Sequence, residues 1–334
     1  MEKERLHYID VAKGLLILMV VYGHIYGVSK GADIDEASVE WIRQSINLFV
    51  SFYMPCFFVI TGFCSNFKKP FLTVFVQSFK TIVLPGIFFT AILTVRHLNY
   101  ESIFSLVKSI VLHGGAYWFL SSLFFARILY WFVFNKIVKK NNQNGVCIVV
   151  FLVGFIISRI YEGPQPWYFI HTLLLMPFLH IGQLLKKYEL KLVKYIAILF
   201  GIVLFSTITL SHIGVLEIEY YYHVPGVSFK LLNMNFTMLI PFVLLSISGC
   251  MLCLGISKII NSNRVLEYLE KNSLVIYCTH TFIMGCILSR ICVWGAQIPI
   301  SLLLVLAYVL TVIICCIVAY ILNLRYFRIF LGKF

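Results

Sequence analysis

Charge is scarce in this 334-residue chain. Asp, Glu, Lys and Arg make up 12% of it, against 60% hydrophobic residues and a mean hydropathy of +0.92. That balance excludes a soluble globular domain of this size. Acidic residues are the scarcer sign, 14 against 27 basic, for a net charge of +13. The basic residues fall in short stretches between apolar runs, and that placement argues against a nucleic-acid partner. A metal-ligand set is also missing: Cys250 and Cys253 form a C-x-x-C, but neither a second pair nor a nearby His completes it, so no metal is expected. Most of the ten cysteines sit inside apolar runs, where they read as small packing residues rather than disulfide partners. No internal repeat is visible, which weighs against transporter folds built from duplicated halves. No polar stretch is long enough for a separate soluble domain. Residues 1–334 therefore read as one membrane-embedded domain, and any chemistry belongs to its membrane portion.

Ten apolar runs are candidates to cross ~30 Å of hydrocarbon: about 9–28, 45–64, 72–95, 116–134, 146–160, 167–185, 194–212, 234–256, 273–293 and 298–322. With the N-terminus inside, the cytoplasmic segments hold 17 Lys and Arg and the opposite loops hold 7. Such an asymmetry predicts ten helices with both termini cytoplasmic. The first run is not followed by an A-x-A site and is interrupted by Lys13 and His24, so it reads as a retained helix and not a signal peptide. Between runs lie an acidic segment (29–44), the amphipathic ESIFSLVKSIVLHGG within 96–115, which suits a re-entrant or surface helix, and a tyrosine-rich segment (213–230).

The chemistry-bearing residues begin in IDVAKGLLILMVVYGHIYGV, residues 9–28. Lys13 and His24 are eleven residues apart, three helical turns with only ~20° of drift, so one face carries a cation and an imidazole. Asp10 lies within roughly 40° of that face and about 21 Å from His24 along the axis. Ionisable groups inside a spanning helix cost several kcal/mol unless they face protein or water, which points to a functional site. His24, in the outer half of the membrane, suits general-base work on a hydroxyl. Lys13, nearer the inner side, suits phosphates of a cytoplasmic ligand or snorkels to the inner headgroups, and Asp10 is placed to pair with it. No carboxylate on the same helix reaches His24, so an orienting partner is sought in Glu101, Glu162 or the acidic 33–40 stretch. His280, seven residues into an inward-starting helix, is expected nearer the inner half. His113, His171, His212 and His223 are expected near the outer surface, solvated. Trp118 suits an interface anchor or a sugar platform.

The opening RLHYIDVAKGLLILMVVYGHIYG resembles that of the membrane acyltransferase 3 family, whose first helix carries an Arg or Lys, ten residues, and a His. SFYMPCFFVITGF (51–63) resembles the family's second-helix pattern F-x-M-P-x-F-F-x-x-S-G-F, with Thr61 in place of Ser. Lys80 and Pro85 in FKTIVLPGIFF resemble the opening of its third helix, without the commoner paired arginines. AYWFLSSLFFARIL (116–129), MPFLHIGQLLKK (176–187) and NSLVIYCTH (272–280) resemble later segments in the same order. The resemblance implies an all-α bundle and an integral-membrane O-acyltransferase, closest to fucose 4-O-acetylase-like members. It would act in the bacterial plasma membrane on a sugar of a surface polysaccharide or its lipid-linked precursor.

A mechanism follows from the resemblance and the residues together. Acetyl-CoA, or another acyl-CoA, serves as the donor substrate, with no bound cofactor. Lys13 and Lys80, with Asp10 beside them, hold the donor, and His24 acts as general base or transient acyl carrier. Oxyanion or acceptor contacts come from among Asn272, Tyr277, His280, Ser65, Trp118 and Glu162. The rival from another class is a transporter or flippase of a lipid-linked saccharide. It predicts duplicated halves and correspondingly broken helices, and the sequence shows neither.

Overall fold

The computed structural model describes residues 6–30, 41–42, 45–46, 48–94, 103–104, 107–115, 117–137, 142–161, 165–188, 195–212, 236–294, 299–324 and 327–332. Among these the regular structure is entirely helical. In chain order the helices are α1 (His7–Gly23), α2 (Ile25–Lys30), α3 (Tyr53–Cys64), α4 (Phe71–Ser78), α5 (Leu84–Thr94), α6 (Trp118–Phe132) and α7 (Gln143–Ile160). They continue as α8 (Phe169–Tyr188), α9 (Ile196–His212), α10 (Phe236–Ile260), α11 (Arg264–Lys271), α12 (Ser273–Trp294) and α13 (Ile300–Leu322). Among the described residues, seven helical stretches are long and apolar enough to cross a membrane, and three shorter apolar helices (Tyr53–Cys64, Gln143–Ser158 and Ile196–Thr209) fall in the other predicted runs. The chain is an all-α membrane protein. Most of the acidic 29–44 segment, part of the amphipathic one and all of 213–230 lie outside the described residues. Within 107–115, a π-helical turn at Ser109–His113 runs into Gly114 and Gly115 at φ of 77° and 91°.

The chain forms two compact units, each discontinuous in sequence: residues 1–57, 191–218 and 236–324, and residues 58–190, 219–235 and 325–334. In the first, α1 is the central element and contacts α10, α11, α12 and α13. Its apolar positions run all round the helix, which suits a helix walled in on every side, and Val11, Ala12, Leu16, Val20 and Val21 are all buried. Gly14 explains how close the neighbours come, because a Cβ there would collide with the backbone of Leu266 on α11. Small residues allow this backbone-to-backbone approach in membrane helices. The start of α11 is fixed by Asn263, whose side chain accepts from the N–H groups of Val265 and Leu266 at 3.0 and 3.1 Å, satisfying two orphan donors of the first turn.

In the second unit, α8 packs on α6 and α7, and two glycines knit it to α3. Gly62 lies on the backbone of Leu179, and Gly182 on the backbone of Val59. The partner numbers fall on one helix as they rise on the other, so the two run antiparallel with their main chains in contact. Between α4 and α5 the helix widens into a π-helical turn at Phe79–Val83. Pro85, two residues on, has no N–H to give the preceding turn, and the wider turn accommodates that gap. Pro55 lies in the first turn of α3, where proline is tolerated, and the N–H groups of Tyr53 and Cys56 on either side of it donate to the Phe49 and Phe52 carbonyls at 3.1 and 2.8 Å.

Candidate active site

α1 does not run uninterrupted to residue 28. It ends at Gly23, and His24 occupies the turn before α2, with its N–H directed to the Val21 carbonyl at 3.3 Å. The His24 side chain stays on the face that the spacing from Lys13 predicts, since both residues meet side chains of the α11–α12 stretch. Lys13 Nζ donates to Glu270 Oε1 at 2.8 Å. Six residues earlier on α1 and three earlier on α11, His7 Nδ1 and Glu267 Oε1 lie 3.0 Å apart. The His24 ring lies edge-on to the His280 ring, with centroids 4.7 Å apart and planes at 76°.

That contact puts His280 level with His24, so an outer His24 and an inner His280 do not both hold. Counting from the start of α12 places it in the inner half, but the helix alignment is set lower down, where Lys13 meets Glu270. From there α1 climbs eleven residues to His24 and the α11–α12 stretch climbs ten to His280, about 16 and 15 Å at ~1.5 Å per residue. The two imidazoles arrive at the same level because α11 already covers the lower turns of α1.

Hydrogen bonding fixes the state of both rings. His24 Nδ1 lies 2.8 Å from the Val20 carbonyl and His280 Nδ1 lies 2.9 Å from the Ile276 carbonyl. A carbonyl only accepts, so each Nδ1 carries a proton and donates. The Nε2 of His280 is buried and makes no hydrogen bond among the described residues. Two imidazole rings therefore meet beside the turn that ends α1, each anchored through Nδ1, so that proton exchange with a hydroxyl falls to Nε2.

A family model described as an acyltransferase domain matches residues 6–321. The chain belongs to the acyltransferase 3 family. It is an acyltransferase, therefore, and the matched span includes both imidazoles, Lys13 and every other candidate residue. No curated protein matches it, and no solved structure does.

The remaining candidates of the acyltransferase fall in different places. Tyr277 lies one turn below His280, ring centroids 6.2 Å apart. Asn272 is engaged elsewhere: at the break between α11 and α12 its Nδ2 donates to the Tyr268 carbonyl at 2.8 Å, and its Oδ1 accepts from Asn323 at 3.0 Å. It joins the foot of α12 to the end of α13, about 12 Å below His280 at ~1.5 Å per residue. Asp10 is buried in the first turn of α1, at the helix end where a carboxylate is favoured. Lys80 and Trp118 belong to the second unit. Lys80 is exposed on the π-helical turn. Trp118 opens α6 with its ring 5.1 Å from that of His171. His171, expected to be solvated, is instead buried and within 2.9 Å of Gln165 Oε1, because α8 turns this residue inward. Glu101, Glu162 and the 33–40 segment, the candidate partners for His24, lie outside the described residues. The neighbours the sequence reading did not single out are Glu270, beside Lys13, and His280 as the residue against His24. Glu270 stands two residues before the NSLVIYCTH segment in a short charged helix, a local signal that passes for an ordinary loop.

Proposed function

We propose that the protein is a membrane O-acyltransferase that moves an acyl group, acetyl in the simplest case, from cytoplasmic acyl-CoA to a hydroxyl of a cell-surface or lipid-linked saccharide. The observation that carries this reading is the 2.8 Å contact of His24 Nδ1 with the Val20 carbonyl, which ties one ring nitrogen to the backbone and leaves Nε2 to exchange a proton, within a chain of the acyltransferase family. His24 Nε2 takes the acceptor hydroxyl proton as the oxygen attacks the thioester carbonyl. The tetrahedral oxyanion collapses, the C–S bond breaks, and the imidazolium returns its proton to the departing CoA thiolate. The edge contact with His280 holds the His24 ring in the orientation that this attack requires. Lys13 sits about 16 Å below His24 on the same face, nearer the side from which the charged donor arrives, and binds donor phosphate as a point charge. Ten spanning helices with cytoplasmic termini fit this direction of supply, and the excess of Lys and Arg on the inner segments supports that topology.

The test uses purified protein in nanodiscs with radiolabelled acetyl-CoA and a cell-envelope glycan fraction. Wild type releases CoA and labels glycan, His24→Ala binds acetyl-CoA without turnover, and Lys13→Ala weakens donor binding. A wild-type protein that neither binds nor consumes acyl-CoA in the presence of glycan overturns the reading.

A further inference from the structure

Lys80 stands where its helix is short of N–H groups. The π-helical turn Phe79–Val83 closes with the Leu84 N–H donating to the Phe79 carbonyl, five residues back, where an α-helix would reach only four, to Lys80. The next residue in line for the Lys80 carbonyl is Pro85, which has no N–H. It therefore falls to groups outside the helix to meet that carbonyl.

One side of the turn is fixed by the bundle. Ile82 and Val83 are buried. Just before the turn, Ser78 Oγ donates to the Val74 carbonyl at 2.7 Å and accepts from Arg127 Nε of α6 at 2.8 Å. The other side, where Lys80 and Thr81 are exposed, is met by a segment nearly 250 residues further along the chain and in the same compact unit.

That segment is the 3-10 turn Arg328–Leu331. The Gly332 N–H closes it on the Ile329 carbonyl at 3.0 Å and leaves Gly332 at φ 68°, a conformation that glycine adopts without a steric penalty. There the glycine lies on the main chain of the π-helical turn: a Cβ on Gly332 would collide with the Lys80 carbonyl and crowd Thr81. Leu331 beside it is buried. Phe330 stacks on Phe88 of α5, ring centroids 4.5 Å apart and planes at 11°. Phe88 stands eight residues beyond Lys80, about 12 Å along the axis at ~1.5 Å per residue. The segment thus grips one helical stretch at two points, the Lys80 carbonyl and a ring two turns on.

Gripping the helix at this place governs where Lys80 points. A π-helical turn holds one residue more than the α-helical turn it replaces, so its relaxation to α-helix would rotate one flank against the other by ~100°. Lysine carries its charge on a flexible four-carbon stem, and its reach is set by the main chain that bears it. We propose that Phe327–Gly332 is a strap that holds the π-helical turn and so aims Lys80 at the phosphates of acyl-CoA, with Phe330 and Gly332 as positioning residues. This rests on the acyl-CoA reading and on Lys80 as one of its phosphate contacts.

The test measures acetyl-CoA affinity by equilibrium dialysis in nanodiscs, without acceptor, for wild type, Lys80→Gln, Phe330→Ala, Phe330→Tyr and Gly332→Asn. Asn tolerates the left-handed conformation but brings the colliding Cβ. Thermal melting confirms that each variant is folded. Lys80→Gln should raise the Kd ~5-fold, and Phe330→Ala and Gly332→Asn about threefold each. Phe330→Tyr, which keeps the stacked ring, should bind as wild type does. On a Lys80→Gln background, Phe330→Ala should raise the Kd no further, because the strap acts through Lys80. If Gly332→Asn does not fold, the Phe330 variants carry the comparison. Lys80→Gln weakened with both strap variants at wild-type affinity overturns the strap and leaves Lys80 as a phosphate contact. A Phe330→Ala loss that persists undiminished on the Lys80→Gln background, or a Lys80→Gln that binds normally, overturns the proposal as well. A wild type that binds no acetyl-CoA removes the acyl-CoA reading and the strap's role with it.

Discussion

Replacing Glu270 by Gln separates two roles of Lys13 that the structure superimposes. Gln keeps the shape and the acceptor oxygen at 2.8 Å from Nζ but removes the charge. Both side chains are largely covered, 27% and 16% exposed, so the pair is neither a solvent-screened surface bridge, worth ~0–1 kcal/mol, nor a fully buried one, whose breaking costs ~3–5 kcal/mol. With the hydrogen bond retained, a loss of about 1–2 kcal/mol is expected. For a chain of this length that lowers the melting temperature by a few degrees, at roughly 2–4 °C per kcal/mol. Donor binding should move the other way. Glu270 neutralises the cation proposed to hold donor phosphate, and releasing it adds roughly 1 kcal/mol to that contact, about a fivefold lower Kd for acetyl-CoA. Lys13→Met should raise that Kd, and Glu270→Gln on a Lys13→Met background should change it no further. Thermal melting in nanodiscs and equilibrium dialysis with labelled acetyl-CoA read the two effects. A less stable Glu270→Gln whose donor affinity is unchanged would show that Lys13 is a structural cation and that the phosphates lie elsewhere.

The other sites give shorter tests. Gly14→Val forces α1 and α11 apart at Leu266, and overpacking of this kind costs about 1–3 kcal/mol; it should lower thermal stability and reduce turnover by displacing Lys13 and His24 together. His280→Ala removes the ring against His24 and should cut kcat by ~10-fold or more with little change in donor Kd, whereas a loss confined to stability would make His280 a packing residue only. Asn263→Ala removes the cap of α11 and should destabilise by about 1 kcal/mol, measured by melting, without altering donor affinity. Gly182→Leu breaks the main-chain contact between α3 and α8 and should abolish accumulation of folded protein, seen as loss of a monodisperse peak in detergent.

What could be read in the sequence was what depends on a single segment. The apolar runs fall on helices, and the shared face of Lys13 and His24 follows from helical periodicity alone. Features that depend on two segments were not legible. That His280 stands level with His24 could not be read by counting its helix from its own start, because the alignment is set by α11 pressing on Gly14. Glu270 is unremarkable in sequence and acquires meaning only when Lys13 faces it. His171 looked solvated because it stands near a predicted helix end, yet α8 turns it into the protein. The break at His24 has no proline or glycine at the turn itself, although Gly23 precedes it, and nothing in the 9–28 run distinguishes it from continuous helix.

The pairing of α1 with α11 and α12 has a consequence for biogenesis. Lys13 and Glu270 are 257 residues apart in the chain, so the first helix enters the membrane long before its counter-charge is made. At ~5–20 residues per second of synthesis, the lysine waits roughly a quarter of a minute to most of a minute. During that interval the nascent chain has every helix up to α10 available and no carboxylate from α11. A ribosome stalled, or a gene truncated, anywhere before residue 264 leaves an inserted chain in which Lys13 lacks Glu270 and His24 lacks His280. Such a product presents a polar helix face with two of its native contacts missing, a feature that membrane quality control has the means to recognise.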